Sequence, residues 1–161
     1  MGAGKTSVGQ ALASKLSIPF VDLDHVIEVN DDRSITEIFQ QKGEAYFRRL
    51  ESLYLESTLQ MSEGVLAVGG GTPVFGDNLE IIKEHTTSIY LQWSPHLITA
   101  RLLNEMDNRP LLRDLDENEV EEFVIAHLSK RVPYYEKAHI TIQCDHKSIH
   151  EIVDEILKKI S

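Results

Sequence analysis

The chain has 161 residues, 42% of them hydrophobic and 26% charged, enough to bury one core of ordinary domain size. Acidic side chains outnumber basic ones 26 to 16, a formal charge of −10, which argues against nucleic acid as a partner but leaves room for a small anion held by a few local cations. The single cysteine, Cys144, excludes an intrachain disulfide framework and suits the cytoplasm, and neither a signal peptide nor an apolar run of the roughly 18–20 residues a membrane span needs is expected.

In chain order, Thr6 to Leu16 reads as a helix with Val8, Leu12 and Leu16 on one stripe, stopped by Pro19. Phe20-Val21-Asp22 reads as a short buried strand. Ser34 and Glu37 form a capping box for a helix to Gln41, and Gly43 separates it from a longer helix reaching about Gln60. Val65 to Val68 is a second strand, ending at Gly69-Gly70-Gly71, where Thr72-Pro73 keeps a helix from starting at once. Ser88 to Leu91 is a third strand. Ser94-Pro95 opens a helix toward Glu105, and Met106 to Asp116 is polar and irregular. Glu117 to about Lys130 is helical, with Val120, Phe123, Val124, His127 and Leu128 on one face. Ile140-Thr141-Ile142 is a fourth strand. Ser148 with Glu151 caps a last helix whose stripe is Ile149, Ile152, Val153, Ile156, Leu157 and Ile160. Alternating strands and helices predict a parallel sheet with helices on both faces, and ligands gather at the carboxyl ends of such strands.

The chemistry-bearing residues fall at those ends. Gly4-Lys5-Thr6 supplies the end of the phosphate-loop pattern Gly-x-x-x-x-Gly-Lys-Ser/Thr, and Gly2 fits an extra glycine within it. The first glycine of the pattern would lie two residues before Met1, and the strand that feeds such a loop is expected upstream of it. Glycines let backbone N–H groups converge on phosphate oxygens, and the following helix N-terminus adds partial positive charge. Lys5 can reach the β- and γ-phosphates, and the Thr6 hydroxyl can ligate Mg²⁺. Met1-Gly2-Ala3-Gly4-Lys5-Thr6 also fits an N-myristoylation pattern, but the phosphate loop explains these residues better.

Asp22 and Asp24 follow a strand. If the extended geometry persists, both carboxylates share one face, one to hold a metal-bound water and one to orient or deprotonate a hydroxyl; the alternative is that Asp24 caps a helix running through Val29. Three consecutive glycines at 69–71 permit close approach of a ligand to main-chain donors, or serve a turn that needs positive φ. Arg131 continues the apolar stripe that starts at Val120, so its guanidinium must meet an anion or stay solvated in a cleft. Arg48 lies one helical step from Glu51, which could orient it. Arg109 beside Pro110 could belong to a loop that closes over a nucleotide. For each arginine a surface ion pair or an incidental cation is the plainer alternative.

The order Gly-Ala-Gly-Lys-Thr-Ser-Val-Gly, Asp22-Leu23-Asp24, Phe47-Arg48-Arg49-Leu50-Glu51, Gly69-Gly70-Gly71-Thr72-Pro73, Arg109-Pro110-Leu111-Leu112 and Lys130-Arg131-Val132-Pro133-Tyr134-Tyr135 resembles the shikimate kinases over essentially the whole chain. The resemblance implies an α/β fold of the P-loop NTPase, nucleoside-monophosphate-kinase-like type. This is a three-layer sandwich on a five-stranded parallel sheet whose central strand, the first, lies outside this chain. It implies one kinase domain over 1–161, with the phosphate loop at 1–7, a substrate-binding region at about 24–60 and a lid loop at about 106–117. It implies transfer of the ATP γ-phosphate to the 3-hydroxyl of shikimate, on the route to chorismate and the aromatic amino acids, with Mg²⁺ as cofactor.

By the same resemblance Lys5, Asp24 and Arg109 are catalytic, and Gly2, Ala3, Gly4, Lys5, Thr6, Ser7 and Arg109 bind ATP. Asp24, Arg48, Gly70, Gly71, Arg131, Phe39 and Phe47 bind shikimate, the two arginines gripping its carboxylate. Thr6, and Asp22 through water, serve the metal. A monomer in the cytoplasm, with ATP and shikimate as its partners and neither nucleic acid nor membrane, is implied. Two departures stand out. Leu102 occupies the place, seven residues before Arg109, where the family often carries an arginine, with Arg101 one step earlier; and Cys144-Asp145-His146 shows no clear adenine signature. Another small-molecule P-loop kinase, for gluconate or a nucleoside monophosphate, and a catalytically impaired nucleotide-binding protein are the alternative readings.

Overall fold

The computed structural model describes residues 2–104 and 116–160. They form two compact units, one over Lys5–Thr87 and one combining residues 2–4 with the chain from Ser88 onward.

In the first unit α1 (Lys5–Leu16) packs against two parallel strands, β1 (Phe20–Asp22) and β2 (Val65–Ala67), in the register Phe20↔Val65, Val21↔Leu66, Asp22↔Ala67. Val8 and Leu12 are buried as their spacing predicts, whereas Leu16 is exposed. Gly9 and Ala13 complete the buried face instead, because small residues let α1 approach the strands closely. A methyl group on Gly9 would lie 2.6 Å from the Phe20 ring.

The chain turns directly from β1 into α2 (Leu23–Asp31), then α3 (Ile35–Lys42) and α4 (Glu44–Thr58). The expected capping box is present: the Ser34 hydroxyl accepts from the Glu37 N–H, and the Glu37 carboxylate accepts from the Ser34 N–H. Gly43, at φ 79°, occupies the left-handed region and separates α3 from α4. Leu23, Ile27, Ile38, Phe47 and Leu55 form this unit's core, each contributing about 2 kcal/mol by leaving water. Past β2 a single 3₁₀ turn (Thr72–Val74) starts at once despite Pro73, which fits in the first turn, where no helical N–H is needed. α5 (Asn78–His85) follows and was not evident from the sequence.

In the second unit β3 (Ile89–Gln92) and β4 (Ile140–Gln143) pair in parallel, Ile89↔Ile140 through Gln92↔Gln143. Ser88, expected to start β3, instead donates its backbone N–H to His139 Nδ1. α6 (Pro95–Leu103) packs on α7 (Glu117–Ser129), a short α8 (Val132–Tyr135) follows, and α9 (Ile149–Ile160) covers β4 with Ile152, Val153 and Ile156. Ile149 and Ile160, the ends of the predicted stripe, are exposed. Among the described residues the strands form two parallel pairs, β1 with β2 and β3 with β4. No described helix is long and apolar enough to cross a membrane.

Candidate active site

The phosphate loop has the backbone its glycines predict. Gly2 and Gly4 adopt φ of 62° and 67°, where an L side chain is strained, and α1 begins at Lys5. The Ala3 and Gly4 amides therefore stand just before a helix N-terminus, the arrangement that favours an anion. Thr6 and Ser7 lie exposed in the first turn. On the carbonyl side of the loop, Trp93 Nε1 donates to Ala3 O and Arg101 Nη1 to Gly2 O, each at 3.1 Å.

Asp22 and Asp24 do not sit on a continuing strand. Asp22 ends β1 and is the N-cap of α2, its Oδ1 accepting from the Asp24 N–H at 3.1 Å, so Asp24 lies in the first helical turn. The helix wins because Leu23 and Ile27 then both point into the core. The second oxygen of Asp22 accepts from the Thr6 hydroxyl at 2.9 Å, which brings the two expected metal-shell residues together. Asp24 is half-buried. Desolvation, then the charges of Asp22 and Glu51, raise its pKa above the ordinary carboxylate value, and Lys5 opposes them. A carboxylate held in that condition is a better proton acceptor than one in water.

The Arg48 guanidinium is fixed from two sides. Nη1 donates to Glu51 Oε2 at 2.5 Å, and Nη2 to Glu44 Oε1 at 2.9 Å. Burial alone would lower its pKa, but Glu51 and Glu44 outweigh that and raise it. Glu51 is wholly buried, and its other oxygen accepts from the Thr72 hydroxyl at 2.6 Å. A charged pair satisfied on both sides tolerates burial that a lone charge would not.

The outer two of the three glycines are explained by this pair. None of Gly69, Gly70 and Gly71 has positive φ, so a turn that needs positive φ is excluded. A Cβ on Gly71 would lie 2.4 Å from Arg48 Nη1, and one on Gly69 would lie 2.9 Å from Glu51 Oε1 and 3.6 Å from Asp24 Oδ1. What approaches these glycines is the chain's own Arg48 and Glu51, which packs Asp24, Glu51 and Arg48 around one bare stretch of backbone. The Phe39 and Phe47 rings touch at a centroid distance of 4.8 Å. Phe47 is a core residue and Phe39 is partly exposed.

Arg131 is not on the stripe assigned to it. α7 ends at Ser129, and Arg131 is the half-buried N-cap of α8, its N–H donating to Leu128 O at 2.8 Å. The Val132-Pro133 step starts a new short helix and so ends the periodicity. Among the described residues the guanidinium has no side-chain partner.

Residues 1–161 match the shikimate kinase family model. The chain is 38% identical to the shikimate kinase of Azobacteroides pseudotrichonymphae, covering 99% of this chain and 95% of that one. It is 40% identical to the Flavobacterium johnsoniae enzyme, at 98% and 92% coverage. The crystal structure of shikimate kinase from Bacteroides thetaiotaomicron aligns at TM-score 0.90, 33% identity and 99% and 93% coverage. That of the Acinetobacter baumannii enzyme in complex with shikimate aligns at 0.87, 34% identity and 99% and 88% coverage.

The chain belongs to the shikimate kinase family. Its fold is the α/β P-loop fold of those kinases. The departures from the shikimate kinase pattern now have physical accounts. Leu102 is fully buried, so an arginine there would bury an unpaired charge, while Arg101, one step earlier, reaches the Gly2 carbonyl. In Cys144-Asp145-His146, Cys144 is a buried thiol whose pKa burial raises to about 11, Asp145 Oδ1 accepts from the Ser94 N–H, and His146 turns the chain at φ 61°. Arg109, with Pro110, Leu111 and Leu112, lies outside the described residues. Trp93 and Arg101 were missed: they meet the loop from 90 and 99 residues away, and no local pattern announces such a contact.

Proposed function

We propose that this chain, an ATP-dependent kinase of the shikimate kinase family, transfers the γ-phosphoryl group to the 3-hydroxyl of shikimate. The observation that carries the reading is the grouping of Thr6, Asp22 and Asp24 at the start of α1 and α2, with Lys5 close enough to act on the Asp24 carboxyl. Phosphoryl transfer asks mainly for position and for charge on oxygens that already bear it. Lys5 and Arg109 supply the positive charge. The amides of residues 2–7, with Ser7 beside them, hold the phosphates.

Asp24 binds the reacting hydroxyl and accepts its proton, a role favoured by its raised pKa. Arg48, held by Glu51 and Glu44, presents its remaining N–H groups to the substrate carboxylate, and Arg131 supplies a second fork. Gly70 and Gly71 lend main-chain donors, and Phe39 walls the ring. The Thr6 hydroxyl and the Asp22 carboxylate, 2.9 Å apart, fit Mg²⁺, which takes few protein oxygens and fills its shell with phosphate and water. When bound it neutralises phosphate charge. One kinase domain acting as a cytoplasmic monomer, without nucleic-acid or membrane partners, belongs to the same proposal.

The test is ADP release with ATP and Mg²⁺ against shikimate, gluconate and a nucleoside monophosphate. Turnover with shikimate alone, lost in Lys5→Ala at unchanged melting temperature, is expected. Preference for another acceptor overturns the substrate assignment, and full activity of the variant overturns the role of Lys5.

A further inference from the structure

Two side chains outside the roles above hold the phosphate loop from behind. Trp93, just past β3, is nearly buried, at 7% exposure, and donates its indole N–H to Ala3 O at 3.1 Å. Arg101, on α6, donates from Nη1 to Gly2 O at 3.1 Å, and its guanidinium lies over the Trp93 ring, 3.6 Å from the centroid. The turn that carries Trp93 is pinned in its own right by Asp145, which accepts from the Ser94 N–H at 2.9 Å.

A planar trans peptide points its N–H opposite to its C=O. Fixing the Gly2 carbonyl on Arg101 therefore aims the Ala3 N–H away from Arg101. Fixing the Ala3 carbonyl on Trp93 aims the Gly4 N–H away from the indole. These are the two amides the loop offers to phosphate ahead of α1. Left alone, a loop with glycines at φ 62° and 67° has many conformations to lose on binding. A cationic donor on a peptide carbonyl also polarises the group and strengthens its N–H as a donor.

We propose that Trp93 and Arg101 are positioning residues, a stacked pair that preorganises the Ala3 and Gly4 amides for nucleotide phosphate by gripping the carbonyls behind them. This rests on the kinase reading above. Trp93 is the chain's single tryptophan, so its emission reports the loop directly.

ADP binding to the full-length protein by calorimetry is the readout, alongside turnover with ATP and shikimate. A wild-type protein that binds ADP but does not phosphorylate shikimate refutes the substrate reading and leaves the clamp testable. Trp93→Phe keeps the ring under Arg101 and removes only the indole donor. It weakens ADP binding about tenfold, the effect of orphaning one semi-buried acceptor. Arg101→Met does the same and Arg101→Lys restores most of the loss, while the KM for shikimate is unchanged throughout. The double variant loses less than the product of the single losses, because both grips act on one loop. Wild-type ADP affinity in a folded Trp93→Phe protein overturns the proposal. So does a fully multiplicative double variant, which places Arg101 on the nucleotide itself. In the wild type, ADP changes Trp93 emission and shikimate alone does not. Emission that ignores ADP overturns the proposal even where a variant fails to fold.

Discussion

Asp24 concentrates the conflict between stability and chemistry. Desolvation and the neighbouring Asp22 and Glu51 resist its ionisation, so its pKa in the folded protein stands above the unfolded value. Its linkage contribution is then fully present below the unfolded carboxylate pKa and is lost as pH rises through the folded one, leaving the ionised group a cost at neutral pH. Asp24→Asn should therefore melt higher than wild type at pH 7, with the gap closing on acidification, while turnover falls about 10²-fold or more. A lower melting point for the variant at pH 7 contradicts the electrostatic account. The wild-type kcat/KM should fall toward acid with a limb above the ordinary carboxylate range, as the base takes up its proton. Arg131, capping a short helix without a side-chain partner among the described residues, is proposed for the substrate carboxylate. Arg131→Ala should raise the KM for shikimate about tenfold or more, the scale of a lost charged hydrogen bond, and leave that for ATP nearly unchanged; equal effects on both refute the role.

Glycines govern how closely the elements approach one another. Gly71→Ala would push a methyl into the Arg48 guanidinium, which Glu51 and Glu44 hold in place. Steady-state kinetics should show the KM for shikimate rising about tenfold with the ATP requirement intact, as expected when one charged contact is misplaced. Gly9→Ala meets the Phe20 ring between α1 and β1, so chemical denaturation should show about 1–3 kcal/mol of lost stability from overpacking. The helices that announce themselves, α3 and α9, carry Ser–x–x–Glu caps whose chemistry is entirely local, and both reciprocal bonds form. α5 has eight residues and no side-chain cap, so it lacked a signal. For Asp22 and Asp24 the sequence left a strand and a helix start both open, because the choice is decided by burial of Leu23 and Ile27, a tertiary matter; the helix forms, capped by Asp22 rather than Asp24. The triple glycine was legible as a place of close approach; that Arg48 and Glu51 are what approach it was not, since both lie on another element.

Over the whole molecule, the order of motifs along the chain was enough to indicate the family, because each short segment is a backbone device at a strand end whose spacing the fold fixes. What spacing could not supply was contact between distant segments, such as Trp93 and Arg101 with the loop. The excess of negative charge does not oppose the proposed anionic substrate pair, because the cations proposed to meet it are few and local: Lys5 and Arg48 lie within one unit, and Arg101 meets the loop within the other. The central claim is that this chain phosphorylates one hydroxyl of shikimate. Phosphorus NMR of a reaction holding the chain, ATP, Mg²⁺ and shikimate tests it most directly. A single new monoester on the 3-hydroxyl, appearing in step with ADP and absent without shikimate, is the predicted result. Phosphate released to water alone, or a monoester at another hydroxyl, would contradict it.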